Sequence, residues 1–192
     1  MEIFLVILIA YLSGSIPFGL ILTKIFGKVD IRKIGSGNIG ATNVLRTGNK
    51  FLAFLTLLFD ITKGYIPVIL AIKFFPDFVN LSALAAFIGH IFPVWLKFKG
   101  GKGVATYLGI LFSLNIIFGL VFGICWLIIF FISKYSSLAS LIGSLSIPVY
   151  ILIMEDFENV FFYAIMFILI FFTHRENIKR LKNKEETKTK IY

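Results

Sequence analysis

Long apolar blocks alternate with short polar stretches along the chain, and a helix needs about 20 largely apolar residues to cross the hydrocarbon core of a bilayer. The first block covers residues 3–23 and carries Ser13, Gly14, Pro17 and Gly19, which predict a bend or break near Pro17. The acidic Glu2 ahead of it, its length and the lack of a small-residue cleavage site after it are unlike a secretory signal. A polar, Gly-rich stretch over residues 24–50 follows. The second block, 51–74, is interrupted by Asp60 and Lys63, and the third, 81–95, contains His90 and Pro93. Residues 104–133 hold no Asp, Glu, Lys, Arg or His, a run long for one helix and short for two. Asn115, between Gly109 and Gly119, is the expected turn. Blocks at 137–154 and 159–173 flank an acidic segment, and a basic tail over 174–192 closes the chain.

Splitting the long run at Asn115 gives seven spans, an all-α polytopic membrane bundle with its N-terminus out and its C-terminus in. The inner segments then carry Lys24, Lys28, Arg32, Lys33, Arg46, Lys50, Lys97, Lys99, Lys102, Lys134 and the basic residues of the tail. The outer ones carry Glu2, Lys73, Asp77, Glu155, Asp156 and Glu158. This is a positive-inside partition, whereas six spans would scatter the basic residues over both faces. Composition agrees with it. The 192 residues are 58% hydrophobic and only 15% charged, against roughly 25% charged in an average soluble domain. So much apolar surface cannot be hidden in a soluble globule of this size. Cys125 stands alone, which excludes a disulfide framework or a multi-Cys metal site. The net charge of +9 reads first as a topology signal.

Three unusual polar segments fall on the inner face. The first, residues 35–46, sets Gly35, Gly37 and Gly40 among Ser36, Asn38, Thr42 and Asn43 and ends at Arg46. Such a composition lets backbone N–H groups approach a ligand closely and adds hydroxyl and amide donors. Thr42 or Asn43 is the expected cap of a short helix carrying Arg46 one turn later. The second, residues 97–106, places Gly100, Gly101 and Gly103 around Lys102 and leads straight into the apolar run that begins at Val104 and includes Thr106. That predicts free N–H groups and a positive helix end suited to an oxyanion, although the Walker spacing for nucleotide phosphates is not met. The third, residues 174–181, puts His174, Asn177 and Leu181 about one turn apart on one helical face.

Together these segments resemble the bacterial integral-membrane acyl-phosphate:glycerol-3-phosphate acyltransferase family, usually called PlsY, over nearly the whole length. The resemblance is carried by residues 14–19, 35–46, 60–64, 89–106, 135–140 and 174–181. Lys184 stands where the family's tail has a glycine, with Glu186 and Lys188 after it, a departure that bears on the terminal turn. The resemblance implies transfer of a fatty acyl group from acyl phosphate to the sn-1 hydroxyl of glycerol 3-phosphate, releasing phosphate, the first step of phospholipid synthesis. It further implies a single integral-membrane acyltransferase domain over residues 1–192, with cytoplasmic-face motif loops 24–50, 97–106 and 174–192. The expected setting is a monomer in the bacterial cytoplasmic (inner) membrane, its active site facing the cytoplasm among membrane lipid. A separate soluble enzyme supplies the acyl phosphate; no nucleic acid, cofactor or metal is expected.

The residues fit two phosphate-bearing substrates. The expected catalytic set is Ser36, Arg46, Lys102, His174 and Asn177, with Arg46 as a forked phosphate clamp and Lys102 as a mobile point charge. Asn38, Thr42 and Asn43 join Ser36 in donating to substrate oxygens, in a loop shaped by Gly35, Gly37 and Gly40. Gly100, Gly101 and Gly103, with Thr106 behind them, are expected around the acyl phosphate. His174 and Asn177 orient glycerol 3-phosphate, with Ser137 and Ser140 as lesser candidates. An acyl phosphate is already activated, so no acyl-enzyme is required and the proton passes either to His174 or to a substrate phosphate. The lack of a carboxylate to orient His174 favours the phosphate. Asp60 and Lys63, three apart, read as a structural pair, His90 as an interhelical hydrogen-bonding residue, and Cys125 as packing. A His-x4-Asp acyltransferase signature is absent, since Trp95 and Lys179 follow the two histidines at that spacing. The alternative from another class is a small organic-phosphate transporter, against which stand the lack of an inverted repeat and the crowding of the polar motifs on one face.

Overall fold

The computed structural model describes residues 1–154 and 157–189. Glu155 and Asp156 of the expected outer segment and Lys190 of the tail lie outside the described residues, as does the side chain of Glu158. Among the described residues every regular element is helical. The chain divides into two compact units, Met1–Leu114 and Asn115–Tyr192.

The first unit opens with α1 (Glu2–Ser15) and α2 (Phe18–Ile25), interrupted at Ile16 and Pro17 where the sequence predicts a break. A 3-10 turn, Ile31–Lys33, and the short α3 (Ala41–Leu45) give structure to the polar stretch before α4 (Lys50–Phe74). The Asn49 side chain caps α4 by accepting from Leu52 N at 3.0 Å, and Pro76 bars its continuation. α5 (Val79–Ile91), a 3-10 turn (Val94–Leu96) and α6 (Val104–Leu114) complete the unit. Small residues let these helices touch backbone to backbone. A Cβ on Gly14 of α1 would lie 1.9 Å from Ala86 O on α5, and one on Gly89 of α5 would lie 2.3 Å from Tyr11 O. Between α4 and α6 the same holds for Gly64 against Thr106 O and Gly109 against Ile61 O. Close approach is how helices gain dispersion contact where lipid removes the hydrophobic drive between them.

The second unit begins at Asn115, extended at φ −158°, whose side chain accepts from Ile117 N at 2.8 Å and so caps α7 (Ile116–Ser133). The expected division of the long uncharged run therefore falls on the expected residue. α8 (Ser136–Ile153) packs on α7 and on α9 (Phe157–Thr173), with Phe118 edge-on to both Tyr150 and Tyr163. α10 (Arg175–Lys182) leaves α9 at 62°. Five helical segments are long and apolar enough to cross a membrane, or up to six with the bent pair, among the described residues. α6 is a shorter apolar helix.

The tail turns back on α10 through Lys184, at φ +61°, with Lys184 N donating to Leu181 O at 3.2 Å and Glu185 N to Arg180 O at 2.8 Å. These are the two bonds of a Schellman C-cap, whose left-handed position favours glycine. The turn keeps its shape here with lysine in the place of the glycine. It delivers Glu186 to Ser137 Oγ (2.8 Å), Asn177 Nδ2 (2.6 Å) and Arg180 Nε (2.7 Å), and Thr189 N then donates to Lys134 O at 2.9 Å. Burial opposes ionisation of Glu186, but the hydrogen bonds from Arg180, Asn177 and Ser137 outweigh it and hold the carboxyl below its ordinary range.

Gly64→Leu, which forces a side chain into Thr106, lowers stability by about 2 kcal/mol or more and the unfolding midpoint in detergent by about 5 °C. Gly123→Ala, on α7 with nothing within 4 Å of the added Cβ, holds or raises that midpoint, and a fall there would count against this packing. Because the Glu186 pKa is depressed on folding, its contribution is complete above the ordinary value of 4.5 and is lost as pH falls through the lower folded value. The protection of amides over residues 183–189, measured against their intrinsic exchange, is therefore expected to fall on acidification below pH 4.5, and to lose that dependence in Glu186→Gln.

Candidate active site

Residues 27–46 fold around Asn43, which is 3% exposed. Its Nδ2 donates to Ile31 O (3.1 Å), Ile34 O (2.9 Å) and Asn38 O (2.8 Å), while Oδ1 accepts from Ser36 N at 3.1 Å. An amide has two donors, so Asn43 has none to give a ligand. It organises the loop, in place of the substrate contact expected of it. Neither Asn43 nor Thr42 caps α3: the N-cap is Gly40, whose N–H donates to Asn38 Oδ1 at 3.1 Å. Beneath the loop Leu20, Leu22, Ile31, Ile39, Val44 and Leu52 form a buried apolar cluster.

Arg46 closes α3 and lies across Gly35, where φ is +53° and an added Cβ would sit 2.8 Å from Arg46 Cδ. Its NH1 reaches Asn43 Oδ1 at 3.5 Å, a marginal bond that leaves most of the guanidinium fork unspent. The acid of this stretch, Asp30, is engaged elsewhere. It accepts from Arg32 N, Nε and NH2 at 3.1, 2.9 and 2.6 Å, and the Arg32 side-chain hydrogen bonds hold its carboxyl well below the usual range. Ser36 is exposed, and Asn38 and Thr42 are half-buried beside it. Ser36, Arg46 and the backbone of Gly35 and Gly37, both at positive φ, thus form one polar surface.

The 97–106 segment is organised differently from the expectation. Gly100 N donates to Ile91 O at 3.0 Å and Gly101 N to His90 O at 3.1 Å, so both N–H groups cap the end of α5 and are not free for an oxyanion. Their lack of side chains is explained by the same contact: a Cβ on Gly100 would lie 2.1 Å from His90 O, and one on Gly101 2.2 Å from His90 Nε2. Gly103, at φ +82°, abuts the Phe87 ring and starts α6 by accepting from Tyr107 N at 2.7 Å. Thr106 is fully buried and its Oγ1 pairs with His90 Nδ1 at 3.1 Å, so it faces the helix interface and not a substrate. This makes His90 the interhelical residue the sequence suggested. Lys102 is half-buried at the head of α6. Asp60 and Lys63 form the expected pair, Nζ to Oδ1 2.7 Å.

In the second unit His174 stands at the bend between α9 and α10, 2% exposed. Its Nδ1 lies 2.8 Å from Ile170 O, which only accepts, so Nδ1 carries a proton and the ring is held by that bond. A backbone carbonyl thus does the orienting for which no carboxylate was evident. Asn177 gives Nδ2 to Glu186, which fixes its amide, and its buried Oδ1 has no donor among the described residues. Ser137 Oγ is committed to Glu186. Ser140 Oγ donates to Ser136 O at 2.7 Å and accepts from Trp126 Nε1 at 3.1 Å, so its proton is spent within α8 and the substrate role expected of it loses its donor. Glu186 was noticed in the sequence only as part of a tail departing from the family pattern. An acid just past a basic helix, beyond a left-handed turn, is the signal that points to it.

The model of the family described as Glycerol-3-phosphate acyltransferase matches residues 4–184. A protein of that name from Pelagibacter ubique (strain HTCC1062) is 67% identical over 193 residues, covering 100% of both chains. Another from Brucella anthropi is 51% identical over 178 residues, 93% of this chain and 89% of its own. The fold matches a crystal structure of PlsY, an integral membrane glycerol 3-phosphate acyltransferase, in its glycerol 3-phosphate form, with a TM-score of 0.92, 38% identity, and coverage of 98% of this chain and 96% of that one. With both the helices and nearly the whole length of the sequence accounted for, the chain belongs to the glycerol-3-phosphate acyltransferase family.

Proposed function

We propose that the chain transfers a fatty acyl group from acyl phosphate to the sn-1 hydroxyl of glycerol 3-phosphate, giving 1-acylglycerol 3-phosphate and phosphate. The observation that carries this reading is the Arg46 fork held over Gly35 beside Ser36, in a loop where Asp30 is paired with Arg32 and the Asn43 amide is spent on backbone carbonyls. A guanidinium left to a ligand suits a phosphate better than any neutral substrate. Lys102 supplies a second positive charge at the head of α6, and Gly37, Gly40, Asn38 and Thr42 shape and line the Arg46 side. Asn177 Oδ1 is an acceptor for a glycerol hydroxyl, and His174 orients the same substrate.

The hydroxyl oxygen attacks the carbonyl carbon of the mixed anhydride, the carbon–oxygen bond to phosphate breaks, and phosphate departs with the electron pair. The hydroxyl proton passes to a phosphate oxygen of the substrates, whose second pKa of about 6 suits it as acceptor. Positioning and neutralisation of phosphate charge are then what the protein contributes, and no covalent acyl-enzyme forms. The whole chain works as one domain, as a monomer, taking acyl phosphate from a separate soluble enzyme. It crosses the bacterial cytoplasmic (inner) membrane seven times, N-terminus out, C-terminus in and active site towards the cytoplasm. The seventh crossing is α6, whose 11 residues make about 16 Å. With it counted, the charge bias supports the motif loops 24–50, 97–106 and 174–192 all lying on the cytoplasmic side.

Purified protein in detergent is expected to release phosphate only when acyl phosphate and glycerol 3-phosphate are both present; acyl-CoA as an effective donor would overturn the donor assignment. Arg46→Ala lowers kcat/KM by 100-fold or more, on the order expected for a lost charged phosphate contact, and unchanged kinetics would remove Arg46 from the site. His174→Gln keeps kcat within about tenfold if a substrate phosphate takes the proton, whereas a loss near 10⁴-fold would make His174 the base. The topology has its own test. Single cysteines at Gly48 and Thr187, in a Cys125→Ser background, react with a membrane-impermeant maleimide only after cells are opened, and labelling of either in intact cells would reverse the orientation.

A further inference from the structure

One polar network of the first unit holds none of the groups assigned above to substrate. Asp60 and Lys63 have side chains only 2% exposed. Lys63 Nζ lies 2.7 Å from Asp60 Oδ1 and also 2.7 Å from Ile16 O, the carbonyl at the break between α1 and α2. Pro67 has no N–H to give the carbonyl four residues before it, which is that of Lys63, and Ser13 Oγ donates there instead at 3.0 Å. α4 and the helix break are thus joined by bonds running in both directions.

The same network reaches the other loop. Asp60 Oδ1 stands 4.0 Å from His90 Nδ1, which pairs with Thr106 Oγ1, and His90 O accepts from Gly101 N. At one end lies the break that aims α2 and the Arg46 loop. At the other lies the turn that leads to Lys102.

We infer that Lys63 is a positioning residue for the acyl transfer proposed above. Its ammonium is a tethered cation at a broken helix, and it sets where the Arg46 loop and the Lys102 turn stand without taking part in bond making. Transporters place a free cation at such unwound carbonyls; here the cation is covalently attached and cannot leave. A neutral pair of similar volume preserves the packing and removes a costly buried charge; Ile16 O keeps the N–H of Phe18 at 3.1 Å, but the tie from α4 to the break is lost. Stability and positioning therefore separate in one variant.

The test uses the full chain in detergent and the double variant Asp60→Leu/Lys63→Met. Its unfolding midpoint is expected to match or exceed that of the wild type, while KM for both substrates rises about tenfold or more and kcat changes less. Wild-type KM values in the folded double variant overturn the inference. Hydrogen exchange gives a readout independent of turnover: faster exchange at both 35–46 and 100–103 supports it, and unchanged exchange at both overturns it. Should the double variant fail to fold, Lys63→Ala is assayed with methylammonium, ethylammonium and propylammonium. Recovery of half the wild-type rate with one of them supports the tethered cation, and no recovery in a monodisperse sample overturns it. A wild type that releases no phosphate sinks the acyl-transfer reading alone, and the exchange experiment still decides the role of Lys63.

Discussion

A backbone carbonyl released inside a bilayer has no water to turn to, and the desolvation it suffers is worth several kcal/mol unless the protein supplies a donor. Three prolines impose that constraint on this chain. Pro17 ends α1, Pro67 lies within α4 and Pro148 within α8. For the first two the compensation is visible and shared: Ile16 O accepts from Lys63 Nζ as well as from Phe18 N, and Lys63 O accepts from Ser13 Oγ. Two helix defects that would each be destabilising alone are joined face to face. The charge needed to do this is then balanced by Asp60 one turn away, so a polar centre in an apolar bundle follows from the broken helix.

The same rule explains why the glycine-rich turn after α5 is glycine-rich. A helix end leaves carbonyls unpaired, and His90 O and Ile91 O are met by the N–H groups of Gly101 and Gly100. Side chains on those two residues would occupy the space of the His90 carbonyl and ring. Glycine density here records close approach of the turn to its own scaffold. Around Gly35 it records something else, since the neighbours there are the side-chain oxygen of Asn43 and the aliphatic stem and guanidinium of Arg46.

The spans, the break at Pro17, the split at Asn115 and the Asp60–Lys63 pair were legible because each has a local signature: apolar length, a proline, a capping side chain, or opposite charges three apart. The loops were legible as places but not in detail. Composition says that Asn43, Asn38, Thr42 and Ser36 are polar; it does not say which way each points. Asn43 turns inward because α3 carries it over the 3-10 turn, where Ile31 O and Ile34 O converge with Asn38 O. That convergence joins residues up to 12 apart in sequence and no local pattern encodes it. Glu186 escaped for a related reason, since its partners at Ser137 and Asn177 are remote or lie across a turn.

What separates the residues left to a ligand from those that build the loop is donor accounting rather than residue type. Arg32 and Arg46 are identical side chains 14 positions apart in sequence. Arg32 spends its fork on Asp30, which accepts from it in three places, and the pair is neutral as a unit. Among the described residues Arg46 has no carboxylate partner and only a marginal contact to Asn43, although the net charge of +9 leaves it among many cations that favour an anion. An exposed lysine among such cations meets its charge with water. On the proposed reading, a guanidinium lying over a glycine backbone, in a loop pinned by a buried amide, is held in place before a phosphate arrives, so less freedom is lost on binding. On that reading the loop's interior bonds serve function as well as stability: they keep most of the one fork that is not theirs pointed and unspent.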